Sequence, residues 1–395
     1  LGGIAGRGRR TQHVVALAYH FGQAELWDKA AKYTIEAGEE LNRISRYSKT
    51  VSLCDPIFSH VQDRDLRIRL AGVYTNALYR MSQYQKMLPI AKETLILIDE
   101  DETYQEITGK IMVFYGWGWL HAGEYDQAQF QFDRAYRVYQ QLEDAYGLVR
   151  ALHGRSVIAF NYGDFDLCDQ FNTRALEIAK AENDKQGMAD SYVNLSITKF
   201  MSGDYDGCID YNQKGLALFE ELGETRGIAS AQNNLGMTYQ MKKQFDLATT
   251  YYKKSIEGAI LIQDYRMSYN TEVNLGFMLL DENPYSIDAR QYLYRAVKKS
   301  EHRPLSIVYL EGMAGLAHML FYDGDLTQSA KLTACLKVHS NATKELHQSR
   351  LDPLIEKYKQ VDGEAESLLA ILKQGDDFDF SALATEVIEH YTLYE

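Results

Sequence analysis

The sequence predicts an all-α fold: a right-handed α-solenoid of about nine antiparallel helix pairs, closed by C-terminal capping helices. Three observations carry this. An aromatic column, Tyr125, Phe165, Tyr205, Phe245 and Tyr285, recurs every 40 residues. The strings around it repeat as Gly-Glu-Tyr-Asp at 123–126, Gly-Asp-Phe-Asp at 163–166, Gly-Asp-Tyr-Asp at 203–206 and Lys-Gln-Phe-Asp at 243–246. Only 5 prolines occur in 395 residues, which leaves long helices uninterrupted.

Each element follows from local chemistry. Glycine before an acidic residue stops one helix and opens the next with an acidic first turn, which suits the positive end of the helix dipole. The aromatic is then expected to wedge between the two helices of its pair. Small residues follow in register: Ala128, Cys168, Cys208 and Ala248 three positions later, and Ala135, Ala175, Gly215 and Ser255 ten positions later. Such columns let helices approach closely. They also assign Cys168 and Cys208 to packing rather than to thiol chemistry.

The pattern continues in both directions. Trp27 is followed by Ala30 and Ala37, and Tyr84 by the weaker match Met87 and Thr94. Between them a degenerate pair is expected over about 39–62. Downstream, Ala289 and Ala296 come one residue late, and the next unit turns at Asp323-Gly324-Asp325-Leu326. The domain reading is therefore a flexible leader or cloning remnant over 1–10, a superhelix over 11–338, and capping helices over 339–395.

Composition narrows the function. The net charge is −13, from 55 acidic and 42 basic residues, and the only basic cluster is Arg7, Arg9 and Arg10, so no direct nucleic-acid contact is expected. The four cysteines lack C-x-x-C spacing, which argues against zinc and against a disulfide framework and fits a reducing, cytoplasmic setting. No apolar run reaches the roughly 20 residues of a membrane span, so no membrane partner is expected. No phosphate-binding G-x-x-x-x-G-K-[ST], G-x-S-x-G or H-E-x-x-H string occurs. The expectation is a non-enzymatic chain with no cofactor and no metal. Asp376, Asp377 and Asp379 lack calcium-loop spacing and read as a solvated linker.

Leu195-Ser196, Leu235-Gly236 and Leu275-Gly276, ten and nine residues before the aromatic, complete a Leu-Gly…Tyr…Gly-Asp-Tyr-Asp…Ala…Ala pattern. It resembles the tetratricopeptide repeat, with about three extra residues per helix over the basic unit of about 34 residues. The resemblance implies that the first helix of each pair lines a concave face. On that stripe lies an asparagine ladder, Asn194, Asn234 and Asn274, in register at 40 residues. Asparagine is a poor helix former, and its amide both donates to and accepts from a peptide backbone. In tetratricopeptide domains that clamp peptide carboxylates, an Asn at the matching position contributes to the clamp. The alternative is that the ladder bridges neighbouring helices. Lys110, Trp117, His121, Arg150 and His153 share the stripe and suggest a cationic end, while Asn233 and Asn270 extend an amide end.

Residues 17–58, through His20, Trp27, Lys29-Ala30 and Ala37-Gly38, resemble the opening of the repeat array in STAND regulators. There it follows a signal-transduction NTPase module, as in maltose-activator-type transcription regulators and ATPase-linked adenylate cyclases. Residues 329–358 resemble the closing segment of the same arrays. The resemblance implies a non-catalytic sensor and scaffold array binding a protein or peptide segment, from the C-terminal region of a larger regulator. Its first residue, Leu1, is consistent with a fragment. An N-terminal NTPase module of the same polypeptide would then be a partner. A free-standing scaffold or cochaperone and a cytosolic peptide-pheromone receptor are the alternatives.

Overall fold

The computed structural model describes residues 2–44, 46–99, 101–301, 306–343 and 346–392, with side chains from residue 10 onward. Every regular element among them is helical. They fall into two compact units, 1–202 and 203–395. The first holds α1 (Gly2–Gln23), α2 (Trp27–Arg43), α3 (Tyr47–Cys54), α4 (Arg64–Arg80), α5 (Tyr84–Ile98), α6 (Gln105–His121), α7 (Tyr125–Gln141), α8 (Ala145–Asn161), α9 (Phe165–Ala181) and α10 (Lys185–Met201). The second holds α11 (Tyr205–Leu222), α12 (Thr225–Met241), α13 (Phe245–Leu261), α14 (Tyr265–Glu282), α15 (Ile287–Ser300), α16 (Ile307–Asp323), α17 (Leu326–Val338), α18 (Asp352–Tyr358), α19 (Ala365–Ile371) and α20 (Phe380–His390). Within each unit successive helices as far as α17 pack on one another, and in unit 1 the first helices of neighbouring pairs also touch, α4 with α6 and α6 with α8.

Two sequence expectations take a different form. The segment expected as a leader is helical from Gly2, as the start of α1. In place of a degenerate pair over 39–62 stand the end of α2, the eight-residue α3 and a 3-10 turn at Phe58–His60. Asp55-Pro56 follows α3, and proline has no N–H with which to continue the helix.

The 40-residue period is built from two equal halves. Helices α6 to α10 each span 17 residues and are joined by three-residue linkers. One linker residue always enters the left-handed region: Gly123 at φ +80° and Gly163 at φ +79° within pairs, Glu143 at +53° and Asn183 at +55° between them. The next acidic residue is an N-cap rather than part of the first turn. Asp144, Asp164 and Asp184 accept hydrogen bonds from the backbone N–H of Gly147, Leu167 and Gly187, each at 3.0 Å. The second acid of each string, Asp126 or Asp166, supplies the first-turn charge.

The column aromatics mark the turns but are not the core. Phe165 is 38% exposed and meets Phe160 edge-on at 5.6 Å, and Tyr285 is 67% exposed. The buried knobs come seven and fourteen residues later. Phe132 and Tyr139 on α7 are buried against glycines of both flanking helices. A Cβ added at Gly109 of α6 would lie 2.8 Å from the Tyr139 ring, and one at Gly147 of α8 only 2.0 Å from it. Gly116 and Gly154 bracket Phe132 in the same way, with a Cβ at 2.8 and 2.3 Å. In unit 2, Leu293 of α15 fits between Gly276 of α14 and Gly315 of α16, both at 2.6 Å.

All four cysteines are buried and unbridged, in keeping with a packing role. Burial pushes the Cys168 thiol up from its ordinary value. Asn172 and Asn212, seven residues after the column aromatic, are fully buried where Phe132 and Tyr252 stand in other pairs. Their amides donate back to Cys168 Sγ at 3.6 Å and to the Cys208 carbonyl at 3.1 Å.

The last apolar face is covered by the C-terminal segment. Leu351, Leu354, Tyr358, Leu368, Val387 and Ile388 are buried in one cluster with residues of α16 and α17. The Tyr358 hydroxyl lies 2.7 Å from Ser329 Oγ and 2.9 Å from Thr333 Oγ1. Arg290 of α15, 5% exposed, holds both Asp323 oxygens at 2.8 and 2.7 Å, and the Tyr391 hydroxyl donates to the same carboxylate at 2.8 Å. Desolvation raises the Asp323 carboxyl, but these hydrogen bonds outweigh it and hold the group below its ordinary value.

Two mutational outcomes follow from the turns and holes. Nothing lies within 4 Å of a Cβ at Gly163, so Gly163→Ala tests backbone strain alone and is expected to cost about 1 kcal/mol. Lys243 adopts φ +56° in the equivalent turn, so Lys243→Gly should instead stabilise by about 0.5 kcal/mol, less glycine's extra unfolded-state entropy. Urea midpoints shifting in opposite directions would verify the pair. At the Tyr139 hole, Gly147→Ala is expected to cost about 2 kcal/mol through overpacking. Combining it with Tyr139→Leu should recover part of that loss, read as a non-additive double-mutant cycle.

Candidate functional site

The exposed faces of α2, α4, α6 and α8 enclose a cleft of about 600 Å³ within unit 1. Its walls carry five cations, Arg43, Arg69, Arg80, Lys110 and Arg150, against three carboxylates, Glu39, Glu106 and Asp144. In a chain of net charge −13 this is a local reversal of sign. Tyr47, Phe114 and the half-exposed Tyr146 give it aromatic surface.

The cations stand in register. Arg69, Lys110 and Arg150 are each the sixth residue of a 17-residue helix, α4, α6 and α8 respectively. The same position is Asp190 in α10, Ser230 in α12 and Asn270 in α14, so the positive charge is confined to three consecutive first helices. Two of the carboxylates are already engaged: Glu106 pairs with Lys110, and Asp144 caps α8. Arg69 reaches Asp65 at 3.7 Å with both groups about half exposed. Such pairs are worth only a few tenths of a kcal/mol, so they yield readily to a better-placed anion. Arg150 is exposed and forms no ion pair among the described residues.

The sequence-derived residues therefore separate. Lys110 and Arg150 line the cleft. Trp117 is half-buried, edge-on to Phe132 at 5.4 Å. His121 closes α6, and its ring stacks on Tyr84 at 4.1 Å. His153 does not face the groove: it is 7% exposed, and its Nε2 lies 2.8 Å from Ser191 Oγ of α10. Burial, with the charge of Arg150 adding to it, pushes this imidazole down to about 4.

Within the ladder, Asn194 is half-buried on α10 in unit 1, and Asn234 is half-buried on α12 in unit 2. Asn274 on α14 is engaged inside the chain. Its Oδ1 accepts from Arg350 Nη2 at 2.9 Å, and the Arg350 guanidinium sits 4.0 Å above the Phe277 ring. His318 Nε2 donates to the Arg350 carbonyl at 2.8 Å. Asn233 is also committed, its Nδ2 donating to Met237 Sδ at 3.6 Å and its Oδ1 accepting from Thr271 at 3.2 Å. Asn270 is exposed.

Sequence reasoning missed Arg69, Arg80, Arg43 and Tyr146. Arg69 was reachable, because Tyr84 and Tyr125 are 41 residues apart rather than 40; shifting by 41 from Lys110 lands on Arg69. Arg43 closes α2, ahead of the irregular segment around α3, where no repeat register leads to it.

Among the described residues, no three His, Cys, Asp or Glu side chains gather as a metal site would require, and no helix is long and apolar enough to cross a membrane. Residues 187–260 match the tetratricopeptide repeat family model. No curated protein matches the chain. Among solved structures it is similar to the Rap conjugation gene regulator of a plasmid in complex with the Phr* peptide, at TM-score 0.56 and 12% identity over 98% of this chain and 97% of that one. It is also similar to aspartyl phosphate phosphatase F from Bacillus subtilis, at TM-score 0.52 and 14% identity over 75% and 72%. A STAND protein with a tetratricopeptide repeat sensor from Pyrococcus horikoshii aligns at TM-score 0.52 and 14% identity over 87% of this chain and 54% of that one, so the chain spans about half of it.

Removing the Arg350 contact tests what the third rung does. Arg350→Ala is expected to cost about 2 kcal/mol, combining a charged hydrogen bond with a cation–π contact, and the urea midpoint reads it. Arg350→Lys should recover only part, because an ammonium cannot both lie flat on Phe277 and reach Asn274. The helix pairs at 187–260 match tetratricopeptide repeats, in an all-helical fold shared with these solved structures.

Proposed function

We propose that this chain is a non-catalytic binding module that takes a peptide or flexible protein segment into its groove and passes occupancy on to a regulatory partner. The observation that carries this reading is the cleft across α2, α4, α6 and α8, with in-register cations and aromatic walls. Recognition chemistry dominates it: charges placed to steer and orient, and rings to stack on. Two of its three carboxylates, Glu106 and Asp144, are tied to Lys110 and to the α8 N-terminus.

Two settings use the same groove. In one, the chain is the sensor array of a larger regulator, beside an NTPase module on the same polypeptide, as in the Pyrococcus neighbour. In the other, it is a peptide-binding regulator in its own right, like the conjugation gene regulator in complex with the Phr* peptide. In either, a repeat array in which each unit touches its neighbours can convert groove occupancy into a change of curvature.

The test is to pan a random peptide display library against the full chain and measure the enriched peptides by calorimetry. Binding that falls about tenfold or more in Lys110→Glu/Arg150→Glu, at unchanged thermal stability, is the expected result. No enrichment, or equal binding to the variant, would overturn the groove reading. Phosphate release from acetyl phosphate above the buffer rate would overturn the non-catalytic part.

A further inference from the structure

We infer that the cleft of unit 1 reads an acidic, extended segment whose carboxylates recur at every third residue. This rests on the groove reading above and goes beyond it by naming the ligand's chemistry and spacing. The argument starts from the register. Arg69, Lys110 and Arg150 occupy the same position on three consecutive first helices, and those helices pack directly, α4 on α6 and α6 on α8. Packed helices stand about 8–10 Å apart, so equivalent side chains recur at that interval. A polyproline-type chain advances 3.1 Å per residue, so three residues cover about 9 Å. A segment of the form acid-x-x-acid-x-x-acid thus places one carboxylate at each cation. An extended β chain shows alternate residues on one face at about 7 Å, and falls out of step by the third cation.

The surroundings agree. Arg69 and Lys110 keep side-chain exposures of 53% and 43%, and their present partners, Asp65 and Glu106, are neighbours four residues back on the same helices. A ligand carboxylate replaces those weak local pairs rather than breaking a buried one. Arg43, paired with Glu40 on its own helix by an exposed i,i+3 contact, and Arg80 add two further guanidinium groups to the same wall. Tyr47, Phe114 and Tyr146 offer surface for the residues between the acids; proline and tyrosine rings pack well against each other. The column turns to Asp190 on the next first helix, which sets the acidic stretch at three carboxylates rather than a longer run.

The probe is a fluorescein-labelled, C-terminally amidated heptapeptide, Glu-Pro-Ala-Glu-Pro-Ala-Glu, titrated against the full chain by anisotropy. Controls are the same composition with the three glutamates adjacent, and the Lys-for-Glu analogue. The spaced acidic peptide is expected to bind at least about tenfold more tightly than the clustered one, with affinity falling as salt is raised. Amidation removes the terminal carboxylate, so binding reports internal acids. Lys110→Gln and Arg150→Gln, mild exposed changes, should each weaken binding several-fold while Lys243→Gly does not. Equal binding of spaced and clustered peptides, preference for the Lys analogue, or indifference to both glutamine variants would overturn the inference. If library peptides of other chemistry bind this groove and the acidic ones do not, the ligand class fails and the groove reading stands; if no peptide of any charge binds, both fail.

Discussion

Tyr139 and Phe132 reach from α7 into two neighbouring helices at once, and they can do so only because Gly109, Gly147, Gly116 and Gly154 leave the space a Cβ would fill. Ring into glycine hole fixes both the closeness of the helices and their rotation. A first helix turned by one residue would present a side chain to the ring and lose the hole. The rotation in turn decides which residues face outward. Lys110 and Arg150 are exposed together because Gly109 and Gly147 on their helices are held against the same ring of Tyr139. The packing contact and the recognition column are two faces of one constraint.

That constraint explains which parts were legible. The turns were, because their chemistry is local: left-handed backbone wants glycine, and an Asp after it caps the next helix. The packing role of Cys168 and Cys208 was legible from their alanine column, and both are buried. The true knobs were harder. Phe132 and Tyr252 share a position that Asn172 and Asn212 take elsewhere, and the position of Tyr139 becomes Ala179, Phe219 and Ala259, so no continuous column announces the knobs. The conspicuous column, Phe165 and Tyr285 among it, marks turns and stays partly in solvent.

For the candidate site, sequence register placed side chains on the right helix but not always on the right side of it. Lys110 and Arg150 reach the cleft, whereas His153, three residues beyond Arg150, points into the interior toward Ser191. Three residues turn a helix by about 300°, so a stripe read as three or four wide straddles the boundary between groove and core. Asn274 shows a second limit. Its register is that of Asn194 and Asn234, but Arg350 arrives from 76 residues away to occupy it. No repeat pattern foresees a contact made by the segment that ends the repeats.

The ladder and the cation column illustrate how a repeat fold divides labour. Position ten of the first helix carries asparagine in α10, α12 and α14, but Val73, Phe114 and Gly154 in the earlier ones. Position six runs the other way, cationic in α4, α6 and α8 and then acidic or neutral. Packing does not dictate position six, because its residues are exposed or half-exposed and vary in charge from helix to helix. Packing does dictate the interval between successive copies. A solenoid therefore separates spacing, which the core enforces, from chemistry, which each unit is free to choose. Charge at position six over three consecutive helices is a choice that the fold does not need, and that makes it the strongest pointer in unit 1 to something outside the chain.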